Sequence, residues 1–241
     1  MIAYKKYLVK RSEGMKGFSI NPVAEIKNGY NEKFGVPRQS GLASGIKSEI
    51  VFADKYKDEN LIRDIEQYSH LWLIWGFTEN NGDWSPTVRP PKLGGNKRVG
   101  VFATRSPYRP NSLGLSVVKL EEVRNTKAGK TLIVSGADLV NGTPIFDIKP
   151  YLPYVDSIPD AKGGFSEEFK DDVLKVTIPE NIKNKMLPED ITEITSILSL
   201  NPKPQYQNDE KRIYGLSYKN FEIKFRCNQE EITVTEIECG K

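Results

Sequence analysis

Short segments rich in β-branched and aromatic residues dominate the first two thirds of the chain, and glycine or proline bounds most of them. We predict strands at residues 18–26, 46–52, 70–77, 99–104, 113–120 and 131–134. One segment, NLIRDIEQY at 60–68, places its apolar residues on one helical face and predicts a helix. Many short strands with a single helix favour an all-β barrel or sandwich over alternating βαβ units.

The pattern of apolar residues changes near residue 160. After the polar stretch GGFSEEFKDD, Pro188 precedes isoleucine and leucine at helical spacing, and Asn201-Pro202 ends the predicted helix. Residues 214–227 and 231–237 predict two strands, as an antiparallel pair. We therefore predict a mainly β fold in three parts: an N-terminal extension at 1–17, a single-sheeted β-barrel at 18–160, and a smaller α+β domain at 161–241.

The composition is that of a globular protein, with 38% hydrophobic and 28% charged residues. No apolar run approaches the roughly 20 residues that span a bilayer, and the N-terminus lacks the features of a signal peptide, so we expect a cytoplasmic protein. One histidine and two cysteines disfavour metal catalysis, and no metal is expected. The glycine-rich dinucleotide fingerprint is absent, which disfavours a Rossmann-type cofactor site.

The net charge of +3 is small, but its distribution along the chain is uneven. No acidic residue occurs between Trp84 and Leu120, a segment that contains seven basic residues: Arg89, Lys92, Lys97, Arg98, Arg105, Arg109 and Lys119. An exposed segment of this kind carries a positive potential suited to phosphate or another anion.

The densest candidate for a binding site is GVFATRSPYRPNSLG, at 100–114. Pro107 and Pro110 stiffen the loop that carries Arg105 and Arg109, and preorganised guanidinium groups bind carboxylates or phosphates well. A single arginine in such a loop would more often cap a carbonyl or pair with a distant acid. Two arginines, two prolines and Asn111 in one acid-free segment favour a functional site.

Three further segments carry weaker signals. WSPTVRPPKLGGNKR at 84–98 is a basic loop that fits RNA phosphates, in which Trp84 either stacks on a base or covers the core. FGVPRQSGL at 34–42 presents Arg38 and Gln39 on a stiff loop. The turn at Asn141-Gly142 is either a close approach to a small ligand or a plain hairpin turn.

Taken in order, these segments resemble the TsaA-like (YaeB-like) family. The resemblance rests on KFGVPRQSGL (33–42), SHLWLIWGF (69–77), WSPTVRPPKLGGNKRVGVFATRSPYRPNSLGLS (84–116) and DLVNGTPIFDIKPYLPY (138–154), and it continues more loosely through NPKPQY (201–206) and FEIKFR (221–226). The third segment is the most specific, because chance would rarely reproduce its prolines, glycines and arginines at this spacing.

The resemblance implies an enzyme that uses S-adenosyl-L-methionine to methylate N6 of N6-threonylcarbamoyladenosine at position 37 of tRNA. It also implies a cofactor site on a β-barrel, a homodimer, and the tRNA anticodon loop as partner. Matched to this sequence, the family's cofactor residues are Pro37, Arg38, Gln39, Phe77, Thr78, Arg105, Leu115, Asn141, Gly142, Thr143 and Pro144. Asn141 stands where the family has an aspartate, so a contact that needs a carboxylate there does not transfer.

The remaining basic residues of the acid-free segment are candidates for RNA binding: Arg89, Lys92, Lys97, Arg98 and Arg109. No general base can be named from the sequence, and Asp138 and Asp147 are the nearest acidic candidates. Two other functions stay open: an RNA-binding β-barrel without enzymatic activity, and a methyltransferase that acts on a small molecule or a protein.

Overall fold

The structure is a computed structural model that describes residues 17–80, 83–127, 129–169, 173–203, 207 and 209–240. The predicted N-terminal extension lies outside the described residues except for Gly17, and so do Pro204 to Tyr206 of the NPKPQY segment. The described part contains twelve strands and three α-helices: β1 (Ala24–Lys27), β2 (Lys47–Phe52), β3 (His70–Gly76), β4 (Thr87–Val88), β5 (Val99–Gly100), β6 (Leu113–Thr126), β7 (Gly129–Ser135), β8 (Pro144–Pro150), α1 (Pro153–Asp156), β9 (Lys175–Thr177), α2 (Glu180–Lys183), α3 (Pro188–Ser199), β10 (Tyr214–Tyr218), β11 (Phe221–Cys227) and β12 (Glu231–Cys239).

Six strands form a closed antiparallel barrel in the order β1-β2-β7-β6-β3-β8, in which β8 pairs back with β1. Buried and partly exposed positions alternate along β1, β2 and β3, as expected when one face of each strand points inward. The inward side chains form an apolar core that includes Ile26, Ile50, Leu71, Leu73, Leu132 and Ile145. The prediction of a mainly β fold is confirmed.

A second, smaller sheet follows in the order β10-β11-β12-β9, with β9 parallel to β12 and the other pairs antiparallel. Helix α3 contributes Ile194, Ile197 and Leu198 to the core beneath this sheet. The predicted helix after Pro188 is confirmed. Tyr30 and Ile46, from the connection between β1 and β2, are buried in the same core, so that connection joins the barrel to the smaller unit.

The helix predicted at 60–68 is wrong. The chain instead makes two short 3-10 turns, Glu59–Ile62 and Ile65–Gln67, and neither contains a fully buried residue. Asp64 between them has a left-handed backbone with φ of 65°, which interrupts a right-handed helix. Ile62 and Ile65 still pack against the barrel, so the apolar pattern marked the contact but not the helix.

Several strand boundaries also differ from the prediction. The predicted strand at 99–104 ends at Gly100, and a 3-10 turn at Val101–Ala103 follows, in which only Val101 is buried. The predicted strand at 214–227 is a hairpin of β10 and β11, because Lys219 adopts a left-handed turn conformation with φ of 52°. Strands β4, β8 and β9 have no counterpart among the predicted strands. No helix within the described ranges is long and apolar enough to cross a membrane.

Candidate functional site

A cavity of about 960 Å³ opens at one end of the barrel. The antiparallel register brings the end of β3 beside the starts of β6 and β8, and the connections before β2 and after β7 reach the same rim. The volume of the cavity suits a ligand of cofactor size. Thirteen residues singled out from the sequence line it: Pro37, Arg38, Gln39, Phe77, Thr78, Arg105, Pro107, Arg109, Pro110, Asn111, Leu115, Asp138 and Thr143.

Three predicted cofactor residues, Asn141, Gly142 and Pro144, do not line this cavity. The backbone N–H groups of Asn141 and Gly142 donate to the carbonyls of Tyr30 and Ile26, at 2.9 and 2.8 Å. These two hydrogen bonds tie the turn to β1 and to the segment that follows β1, so the two N–H groups do not face the cavity. Of the four predicted turn residues, only Thr143 reaches the cavity wall.

Arg105 lies on the cavity wall with an exposed side chain. Its guanidinium donates to the Gln39 amide oxygen, and the Gln39 amide nitrogen donates to the Arg38 carbonyl. Arg105 makes no ion pair with any acidic residue in the described part of the chain. A guanidinium placed in this way can bind the carboxylate of a ligand.

Arg38 links the cavity to the smaller unit. Its Nη2 donates to the carbonyls of Asn201 and Lys203, at 3.2 and 3.4 Å, just after the end of α3. The same side chain also lines the cavity. Arg38 therefore holds the loop with the predicted cofactor residues 37–39 against the C-terminal part of the chain.

Asp138 lies at the end of a hydrogen-bonded chain of side chains within the barrel rim. Trp75 Nε1 donates to Ser116 Oγ at 2.9 Å, and Ser116 Oγ donates to Asp138 Oδ1 at 2.5 Å. Burial raises the pKa of Asp138, although the hydrogen bond from Ser116 and the charge of Arg105 oppose this shift. The result is a carboxyl group that is a stronger base than an ordinary aspartate and has a fixed orientation.

Trp75, Ser116 and Gly114 are site residues that the sequence reasoning missed. Gly114 lies opposite Trp75 in the β3–β6 register, and a Cβ at 114 would overlap the Trp75 ring. The ring also packs edge-on against Phe77, with 4.3 Å between centroids. The SHLWLIWGF alternation could have marked Trp75 as inward-facing, but its partners depend on strand register, which the sequence does not reveal.

Asp147, the other acidic candidate, does not line the cavity. It lies on β8 with about half of its side chain exposed, pairs with Lys149 at 2.9 Å, and accepts from the backbone N–H of Ile148. This position removes Asp147 as a base for a reaction in the cavity.

The predicted RNA-binding residues divide between the cavity wall and a separate arm. Arg89, Lys97 and Arg98 are exposed on or beside the hairpin of β4 and β5, away from the cavity wall, whereas Arg109 lines it and donates to the Thr104 carbonyl at 3.0 Å. The side chain of Lys92 lies outside the described part of the structure. Within the described part of the chain, no acidic side chain forms an ion pair with Arg89, Lys97, Arg98 or Arg109.

The chain also matches known sequences along most of its length. The profile of the tRNA-methyltransferase O N-terminal domain matches residues 25–157, and that of the TrmO C-terminal domain matches residues 168–240. A tRNA (adenine(37)-N6)-methyltransferase from Escherichia coli K12 is 36% identical over 233 residues, which cover 93% of this chain and 99% of that protein. The chain belongs to the tRNA-methyltransferase O family.

Other members of the tRNA-methyltransferase O family agree with this assignment. A protein of the same name from Eikenella corrodens is 42% identical over 168 residues, covering 66% of this chain and 90% of that protein. A crystal structure of TrmO from Pseudomonas aeruginosa has a TM-score of 0.75 and 29% identity, covering 95% of this chain and 100% of that one. The family resemblance inferred from the sequence is confirmed.

Proposed function

We propose that this protein uses S-adenosylmethionine to methylate N6 of adenosine 37 in tRNA. The observation that carries the proposal is the match to the Escherichia coli tRNA (adenine(37)-N6)-methyltransferase along nearly the whole of both chains. Relatives from Pseudomonas aeruginosa are named as putative S-adenosylmethionine-dependent methyltransferases. These names favour an enzyme that methylates tRNA over both alternatives left open by the sequence.

The lining of the cavity at the barrel rim supports S-adenosylmethionine as its ligand. The exposed Arg105 guanidinium suits the carboxylate of the cofactor, and Pro37, Phe77 and Leu115 offer apolar surface to its nucleoside. Gln39, which accepts from Arg105, would keep that guanidinium oriented before the cofactor arrives. Phe77 and Thr78 follow β3 directly, so the barrel itself fixes part of the wall.

S-adenosylmethionine supplies an already activated methyl group, so the protein has to position the acceptor, exclude water and accept a proton. We assign the role of proton acceptor to Asp138, because it lines the cavity and its burial raises its pKa. Ser116 donates to one carboxylate oxygen of Asp138 and thereby orients the other. Arg38 and Thr143 line the wall and complete the proposed cofactor site. Asn141 and Gly142 hydrogen-bond the turn that carries Thr143 to Tyr30 and Ile26, and Pro144 lies opposite Glu25 of β1.

Several finer features of the proposal come from the family resemblance. They are the threonylcarbamoyl group on the acceptor adenosine, the anticodon loop as the bound part of the tRNA, a homodimer, and action in the cytoplasm. Arg89, Lys92, Lys97, Arg98 and Arg109 are the proposed contacts to RNA phosphates. The proposed division near residue 160 is supported by the two family profiles, because the first ends at residue 157 and the second begins at residue 168.

The decisive experiment is methyl transfer in vitro. The protein is incubated with S-adenosylmethionine labelled on the methyl group and with tRNA that either carries or lacks the threonylcarbamoyl group at adenosine 37. We expect label in the modified tRNA only. Transfer to both tRNAs would contradict the proposed acceptor, and no transfer by a protein that binds the cofactor would contradict the methyltransferase itself.

A further inference from the structure

Two aromatic side chains of the acid-free segment are exposed at the cavity wall. Phe102 is 78% exposed and Tyr108 is 47% exposed, and both line the cavity. A large aromatic surface that stays in contact with water at the edge of a binding site indicates a partner that covers it. Neither residue belongs to the cofactor or phosphate contacts proposed above.

The backbone holds Phe102 in this exposed position. The 3-10 turn Val101–Ala103 buries Val101, and the Val101 N–H donates to the Pro86 carbonyl at 3.0 Å. Both the backbone N–H and the hydroxyl of Thr104 donate to the Val101 carbonyl, at 3.2 and 2.8 Å. The phenyl ring is therefore presented from an anchored turn, at little further cost in backbone entropy on binding.

Tyr108 is also held by its own loop. It follows Pro107, which restricts the backbone before it, and its N–H donates to Ser106 Oγ at 3.2 Å. Arg105 and Arg109 lie in the same loop, and Arg109 donates back to Thr104, so the aromatic and cationic groups share one rigid frame.

The charges around these rings identify the partner. The segment from Trp84 to Leu120 contains no acid, and Arg105 and Arg109 form no ion pair with a described carboxylate. Exposed rings beside the Arg109 guanidinium, in a segment without acids, match single-stranded nucleic acid, whose bases stack on aromatic faces while its phosphates attract the cation. A protein partner that offers only apolar surface would leave these charges without a counterpart.

We infer that Phe102 and Tyr108 form a base-stacking subsite, which holds nucleobases of the tRNA beside the acceptor base at the mouth of the cavity. This inference rests on the proposed function, because it takes tRNA as the substrate. The subsite positions unpaired bases through their faces, and so it is tolerant of their sequence.

The test compares three substitutions at position 102, each assayed for tRNA affinity, S-adenosylmethionine affinity and sedimentation. Phe102→Ala removes the ring, Phe102→Leu keeps apolar surface without an aromatic face, and Phe102→Trp keeps a stacking face. We expect Ala and Leu to weaken tRNA binding about 5- to 100-fold, the range for loss of one stacked base, and Trp to bind within about twofold of wild type. Cofactor affinity should stay unchanged in all three.

Phe18→Ala is the matched control, since Phe18 is 77% exposed and does not line the cavity. This variant should bind tRNA like the wild type. Because Phe102 is exposed, its variants should keep the wild-type melting temperature, which a thermal scan verifies.

Four outcomes would overturn the inference. Restored tRNA binding in Phe102→Leu would mean an apolar contact without stacking. A changed oligomeric state in Phe102→Ala would mean an interface between protein copies, and a loss of cofactor affinity would mean that Phe102 belongs to the cofactor wall. Methyl transfer by the wild-type protein is measured alongside. If the wild type transfers no methyl group, the proposed function is wrong. If it does transfer the methyl group while Phe102→Ala binds tRNA normally, only the stacking subsite is wrong.

Discussion

At the scale of single residues, Arg105 and Arg98 form a matched pair of arginines inside and outside the cavity. Both are exposed arginines of the acid-free segment, but Arg105 lines the cavity, whereas Arg98 lies beside β5 and donates to Thr87 Oγ1 at 2.8 Å. We predict that Arg105→Ala weakens S-adenosylmethionine binding by about 10- to 100-fold, the range for a lost charge-assisted hydrogen bond. Isothermal titration calorimetry with the cofactor measures this effect.

Arg98→Ala provides the comparison. It should leave cofactor affinity unchanged while weakening tRNA binding and making it less dependent on salt, because one phosphate contact is lost. Equal cofactor affinity in wild type and Arg105→Ala would remove Arg105 from the site.

Asp138 gives a prediction about pH at the same scale. Burial raises its pKa, so the basic carboxylate forms only as the pH rises above the ordinary aspartate range. We predict that kcat of the wild type rises with pH through this raised pKa, and that Asp138→Asn lowers kcat by about 100-fold or more with little change in cofactor affinity. A pH–rate profile for both proteins measures the effect, and wild-type kcat in Asp138→Asn would exclude Asp138 as the base.

The same shift has a consequence for stability. A group with a raised pKa in the folded state favours folding below its unfolded pKa, and this contribution is lost as the pH rises through the folded pKa. Asp138→Asn should therefore be more stable than the wild type at neutral pH, and the difference should shrink towards acidic pH. Denaturant unfolding across this range would show the trend.

At the scale of secondary-structure elements, the sequence predicted the strands in which buried and exposed residues alternate. Strands β2 and β3 follow closely from the pattern of apolar residues, because one face of each strand is buried. The turn at Val101–Ala103 could not be predicted in this way, since its VFAT sequence suits a strand and only Val101 finds a place in the core. The conformation of that segment depends on its tertiary contacts and not on its local sequence pattern.

Gly114 shows why register matters to the site. Its lack of a side chain leaves room for Trp75, which donates to Ser116 and thereby supports Asp138. We predict that Gly114→Ala displaces the Trp75 ring and destabilises the fold by about 1–3 kcal/mol, the usual cost of overpacking. Gly100→Ala is the matched control, because a Cβ at 100 would contact nothing within 4 Å.

The two glycine variants are compared by thermal unfolding and by the pH–rate profile. Gly114→Ala should lower both the melting temperature and kcat, whereas Gly100→Ala should change neither. Unaltered kcat in Gly114→Ala would show that the Trp75 to Asp138 chain has no part in catalysis.

At the scale of the whole molecule, residues 28–39 connect the two sheets. Phe34 stacks on Phe225 with 6.3 Å between centroids, and Gly35 passes so close to Leu216 that a Cβ would overlap it. The sequence identified the loop through Pro37, Arg38 and Gln39, because the motif is contiguous. It did not reveal that Arg38 reaches Asn201, because that contact spans 163 residues.

Asn201 offers a test of this connection from outside the cavity. Its backbone is left-handed, with φ of 52°, and its carbonyl accepts from Arg38. We predict that Asn201→Val, which disfavours this conformation, weakens S-adenosylmethionine binding severalfold, while Asn201→Gly, which tolerates it, does not. Titration calorimetry on both variants, after thermal scans verify folding, measures the difference, and equal affinities would exclude coupling through Arg38.

The 163-residue separation between Arg38 and Asn201 also bears on how the protein is made. The strands of the barrel end at Pro150, so the barrel can close while the ribosome is still adding the last third of the chain. The carbonyl groups that accept from Arg38 belong to Asn201 and Lys203, which leave the ribosome after the barrel strands. We therefore expect the cofactor loop to reach its final geometry only after translation has passed residue 203, whether or not the barrel has already closed.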